Sequence, residues 1–343
     1  MTKRVSYISL INTVSCFAVV FLHSNGCFWS FSYEPYWKSA NIIECLFYFA
    51  VPCFFMITGA TLLDYREKYG LVEYFKKRLL KTFVPFVFWS LIGLAYLILN
   101  KKLSFSDLSA AFVYNGIMRT SFVGVYWFFI SLFGMYLCIP LFAAVKEDAR
   151  REVFTYLVCT GAAVNIVVPL IIRLSGYDIA WPFVLGVAAG PLIYLPLGYL
   201  ITKYEINKAV RAVIYVLGVF GFSAHLLGTY YLSTKKGEIV STFKGYTNLP
   251  CLLFSVAVFV FLRYGTEKLL RLGFLEKAVN FISGHTFSVY LMHWFLLDEF
   301  CRLTDVDTRS LLYRLGIPFI VIPTAIGISF VLKKIPVLKR IVP

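Results

Sequence analysis

Residues 9–24 read SLINTVSCFAVVFLHS, an apolar run with a histidine close to its end. On a helix rising about 1.5 Å and turning about 100° per residue, Ser9, Asn12, Ser15 or Cys16, and His23 share one face, with Asn12 and His23 about 16 Å apart along the axis. The other positions are greasy. Polar groups in hydrocarbon cost free energy, so this stripe must face other helices or a wet cavity. His23 is therefore either part of a site or an interhelical hydrogen-bonding group.

Composition extends that reading to the whole chain. Hydrophobic residues make up 59% of the 343 and charged residues 15%, and the mean hydropathy is +0.76. A soluble domain of this length is excluded, and the expected fold class is an all-α polytopic membrane protein. Apolar runs near the spanning length occur at 6–25, 41–63, 83–99, 123–145, 153–173, 181–201, 209–231, 249–264, 278–300 and 311–332, which predicts about ten transmembrane helices. They form one membrane-embedded domain over 1–343, with no appended soluble domain expected.

The net charge of +15 would suit nucleic acid, but its distribution suits a bilayer. Placing both termini in the cytoplasm puts 22 of the 33 Lys and Arg residues in inner segments, the positive-inside bias of a multi-pass cell-membrane protein in contact with lipid. Lys3 and Arg4 could also open a signal peptide, but the first run continues into HSNGCFW without a small-residue cleavage site, so it is read as a retained span. Eight cysteines without a CxxC pair indicate neither a zinc site nor a disulfide framework, although a Cys27–Cys301 or Cys27–Cys45 bridge stays open.

Other polar residues fall at telling depths. Glu44 lies about one turn into the second run, near the expected depth of His23, where a carboxylate could orient an imidazole or simply be solvated. Pro52 should kink that helix, and Gly59 permits close packing. Lys77, Arg78 and Lys81 cluster where the third span enters the membrane; such a cluster anchors to anionic lipid or binds a phosphate-rich ligand. The run 181–201 carries Pro182, Pro191 and Pro196 with Gly186, Gly190 and Gly198, which predicts a helix kinked or broken where protein covers it or it lines a cavity.

Taken together, HSNG after the first span, FAVPCFFMITGATLL in the second, KKRLLKTFVPFVFWS, VYWFFISLFGMYLCIPLF and FSVYLMHWFLL resemble the acyltransferase 3 family of integral membrane enzymes, in the family's order over most of the chain. The resemblance implies transfer of an acyl group, with acetyl expected, from cytosolic acyl-CoA to an extracytoplasmic carbohydrate or cell-envelope glycan, without a metal. His23 matches the family's first-helix histidine, acting as general base or transient acyl carrier. Arg78 and Lys81 match its RxxR motif with lysine in the second place, and Lys77 adds charge beside them. Trp127, Tyr136 and Pro140 match the fourth-helix pattern, and Tyr290 with His293 the late YLxH pattern. Asn12 stands where the family commonly has arginine. The resemblance, with the depth of Glu44 and the charge of Lys77 beside the motif, thus assigns His23, Glu44 and His293 to catalysis, Lys77, Arg78, Lys81 and Asn12 to the donor, and Trp127, Tyr290 and Tyr136 to the acceptor or site lining. The competing class is a secondary transporter or a flippase for a lipid-linked sugar, which would also carry intramembrane ionisable residues and a broken helix.

Overall fold

The computed structural model describes residues 6–266, 270 and 272–343; Lys3, Arg4, Lys268 and Arg271, all counted in the charge bias, lie outside them. The described residues form helices and no strands. The first run is helix α1, Ser6–Ser24. It is the centre of the bundle, packed against α2 (Pro35–Phe47), α3 (Ala50–Leu62), α12 (Leu249–Tyr264), α13 (Gly273–Ser283), α14 (Thr286–Thr304) and α16 (Pro318–Lys334). None of residues 7–24 is exposed at the surface, which is why the polar stripe of α1 is tolerated.

Among the described residues seven stretches are long and apolar enough to cross a membrane: Tyr7–Ser24, Pro35–Glu67, Leu71–Leu99, Gly124–Phe142, Glu147–Ser175, Lys208–Lys236 and Leu311–Lys334. The second is interrupted at Tyr48–Phe49, just ahead of Pro52. A proline nitrogen cannot donate to the carbonyl four residues back, and the Tyr48 carbonyl is instead approached by the Cys251 thiol at 3.9 Å. The third comprises α4 (Leu71–Arg78), a π-turn at Leu79–Phe83 and α5 (Val84–Leu99). Helix α12 is apolar but only 16 residues long. Helix α14 ends in the charged residues Asp298, Glu299 and Arg302. All eight cysteines are free thiols, so neither bridge left open by the sequence is formed.

The run 181–201 is broken as expected, and it is helical only at its end. Residues 177–185 carry no helix, short 3₁₀ turns follow at Gly186–Ala188 and Gly190–Ile193, and α10 covers Tyr194–Lys203. Gly190 sits at φ 54°, in the left-handed region that glycine enters freely. The irregular backbone is supported from the span Glu147–Ser175, which α8 (Glu147–Ala162) opens. There Asn165 donates to the Leu185 carbonyl at 3.0 Å and accepts from its N–H at 2.9 Å. A π-turn at Ala163–Val167 overlaps this contact, and the Trp181 indole donates to the Val164 carbonyl at 2.9 Å. Helix α10 docks on α3 through two glycines. A Cβ at Gly59 would strike the Leu195 carbonyl, and one at Gly198 the Met56 carbonyl.

Candidate active site

A cavity of about 1400 Å³ runs along α1 between that helix, α3, α7 (Trp127–Phe142) and the start of α14. On α1 its wall extends from Ile8 to His23, fifteen residues or about 22 Å along the axis. It therefore has two ends, and they differ in chemistry.

At one end lies His23, the last basic group on α1. Its ring makes no hydrogen bond to any described residue, so both nitrogens remain available to a ligand. The segment after it is pinned: Ser24 donates to the Arg314 carbonyl at 2.9 Å, Arg314 donates to the Asn25 side-chain oxygen at 3.2 Å, and Asn25 donates to the Ala40 carbonyl at 2.9 Å. These bonds explain why Ser and Asn come directly after the histidine. They also expose a missed residue, because Arg314 is fully buried behind the site while its neighbourhood in the sequence reads only as the start of a span.

His293 packs behind His23, with ring centroids 5.0 Å apart. It is fully buried and is not part of the cavity wall; it borders a small separate void beside Cys16 and Tyr290. Its Nδ1 faces the Tyr290 carbonyl at 2.7 Å and the Val289 carbonyl at 3.2 Å. Only an N–H can satisfy two acceptors, so Nδ1 carries the proton and Nε2, which has no partner, holds the lone pair. Tyr290 lines the cavity with its ring, and its hydroxyl donates to the Val125 carbonyl. Tyr126 makes the matching bond to the Leu291 carbonyl at 2.6 Å. Two phenols thus clip α14 to the turn before α7.

Glu44 lines the same end, but it does not orient the histidine. Its Oε1 accepts from Lys244 Nζ at 2.6 Å, and both side chains are buried. The ammonium also lies over the Tyr48 ring, 3.7 Å from the centroid, and is flanked by Phe28 and Trp29. Next to this pair Tyr48 stacks on Tyr246 at 4.2 Å, and Tyr246 on Trp127 at 5.4 Å. The result is a ladder of three rings along the cavity wall. Trp127 was expected here; Tyr48, Tyr246 and Lys244 were not.

The other end is polar and basic, with Asp64, Lys68, Lys81 and Lys203 in its wall. Asp64 bridges Arg150 at 2.7 Å and Lys203 at 2.6 Å. Of the expected donor residues, Lys81 lines this end, whereas Lys77 and Arg78 do not. Lys77 turns to Glu73 at 3.6 Å and to the Tyr69 ring. Arg78 lies 5.5 Å from the ring of Tyr136, which does line the cavity, so it braces the wall from behind. Asn12 is in the wall between the two ends, and its amide donates to Ser283 Oγ at 2.9 Å and Thr286 Oγ1 at 2.8 Å. It ties α1 to the end of α13 and the start of α14.

A family model described as an acyltransferase domain, Acyl_transf_3, matches residues 5–332. The chain belongs to the acyltransferase 3 family. It is a multi-pass membrane acyltransferase, and each of the motifs that carried the resemblance in sequence contributes a residue to the cavity wall. Comparison with curated proteins and with solved structures yields no match. Among the described residues no cluster of His, Cys, Asp and Glu could hold a metal ion.

Proposed function

We propose that this acyltransferase moves an acetyl group from cytosolic acetyl-CoA to a hydroxyl of an extracytoplasmic carbohydrate or cell-envelope glycan. Both termini face the cytoplasm of a cell membrane, and the Lys81 end of the cavity opens to the same side. In this reading α12, about 24 Å long, α14, and α10 with its irregular approach cross the bilayer together with the seven longer stretches, giving ten spans. The observation that carries the proposal is that one cavity joins the basic end to the unpartnered imidazole of His23.

The chemistry rests on that arrangement. Coenzyme A places its phosphates among the lysines and extends its pantetheine along α1, which brings the thioester to His23. The acceptor sugar lies against Trp127 and Tyr246, since the C–H face of a sugar packs on aromatic rings. A His23 nitrogen takes the acceptor hydroxyl's proton as the oxygen attacks the thioester carbon. The new C–O bond forms, the C–S bond breaks, and the imidazolium returns the proton to the coenzyme A thiolate. Behind it His293, held in one tautomer by two carbonyls, fixes the position of the His23 ring.

The test uses purified protein, acetyl-CoA labelled in the acetyl group, and a cell-envelope extract as acceptor. His23→Ala should bind acetyl-CoA like the wild type and transfer label about 10²–10⁴ times more slowly, the usual contribution of a general base. Near wild-type transfer by His23→Ala overturns the proposal.

A further inference from the structure

We infer that Lys68 and Lys203, on two segments the sequence gives no reason to join, hold the phosphate groups of the donor beside Lys81. This deepens the acyl-CoA reading above and rests on it.

The three lysines reach the same end of the cavity from different elements. Lys68 comes after α3 in a short connecting segment, Lys81 lies on the π-turn before α5, and Lys203 is the last residue of α10. Lys68 and Lys81 make no side-chain hydrogen bond or ion pair with any described residue, so their charges are uncommitted. Lys203 is held at the rim by Asp64, whose second oxygen is taken by Arg150. Arg150 is buried and bonded further to the Val145 and Ala143 carbonyls and the Tyr199 hydroxyl. The aspartate charge is thus balanced from the protein side, which leaves an excess of positive charge facing the cavity.

That excess matches a polyanion. Ammonium groups bind phosphate as point charges through charge-assisted hydrogen bonds, and three of them on separate elements can serve phosphates that are not adjacent in the ligand. Beyond the lysines the cavity wall suits the pantetheine arm of the same ligand. Thr58 and Thr61 donate their hydroxyl protons to the Phe54 and Ile57 carbonyls, at 2.9 and 2.7 Å. Their oxygen lone pairs are then left to accept from the amide N–H groups of that arm. In this assignment Asn12 needs no positive charge, because the phosphates stop at the lysine end and do not reach it.

An anionic lipid headgroup offers the same phosphate chemistry, so the experiment separates the two sources. Binding of coenzyme A and of 3′-dephospho-coenzyme A is measured by calorimetry on protein in neutral detergent, and again in nanodiscs of phosphatidylcholine with and without phosphatidylglycerol. Lys68→Met and Lys203→Met should each weaken coenzyme A binding about five- to tenfold, and the double variant at least thirtyfold with a shallower dependence on salt. Lys203→Arg should restore most of the loss, because it keeps the charge and the bond to Asp64. Lys146→Met, an exposed lysine outside the cavity wall, should bind like the wild type. If the wild type binds coenzyme A and both single variants match it, in detergent and in nanodiscs, the assignment of Lys68 and Lys203 is overturned while the donor reading stands. The same holds if the variants lose only a preference for phosphatidylglycerol. If the wild type binds no coenzyme A, the donor reading itself falls.

Discussion

Replacing Lys244 by methionine keeps most of the side-chain volume and removes the charge facing Glu44. With Nζ and Oε1 at 2.6 Å, the attraction at an effective dielectric of about 20 is about 6 kcal/mol. Removing two such ions from water costs several kcal/mol each, so the intact pair contributes little net stability. Deleting only the ammonium is different. Glu44 keeps its burial and loses its counter-charge, and a change of this kind costs about 3–5 kcal/mol. Lys244→Met should therefore be strongly destabilised, whereas Lys244→Met with Glu44→Gln should regain most of the loss. Unfolding by rising SDS fraction in mixed micelles, monitored by circular dichroism, gives the free energies for the double-mutant cycle. The same pair anchors the loop that carries Tyr246, so the single variant should also be a poor acyltransferase. A single variant as stable as the wild type, or a double variant worse than the single one, would refute this account of the pair.

The packing sets three further outcomes. Gly59→Ala should cost about 1–3 kcal/mol, because the added methyl meets the rigid Leu195 carbonyl and forces α10 off α3; the same micelle titration measures it. Asp64→Asn should cost about 3 kcal/mol, since buried Arg150 loses its carboxylate; stability unchanged from wild type would show that Arg150 relies on its carbonyl partners alone. Asn165→Leu leaves the Leu185 N–H and C=O without their partner, about 1–3 kcal/mol each where water is excluded. Limited proteolysis should then cut the segment 177–190 faster than in the wild type, with the rest of the chain unaffected.

What the sequence determined by itself was what depends on neighbours along the chain. Hydropathy over twenty residues placed the long helices, proline chemistry marked the distortions near Pro52 and in the run 181–201, and helical periodicity put Asn12 and His23 on one face. Ordered motifs placed the chain in its family. Only the tertiary structure could decide partners across the chain. A buried carboxylate at Glu44 calls for a cation, but nothing local distinguishes Lys244, 200 residues away, from the other lysines near helix ends. Lys68 and Lys203 read as ordinary positive-inside charge until α3 and α10 dock through Gly59 and Gly198 and bring them to one rim. Conversely, Lys77 and Arg78 sit beside Lys81 in sequence, yet the turn of the helix directs them away from the cavity. Charge and polarity are written residue by residue, whereas the cavity is a property of how the helices pack, and that packing is set by contacts between residues far apart in the chain.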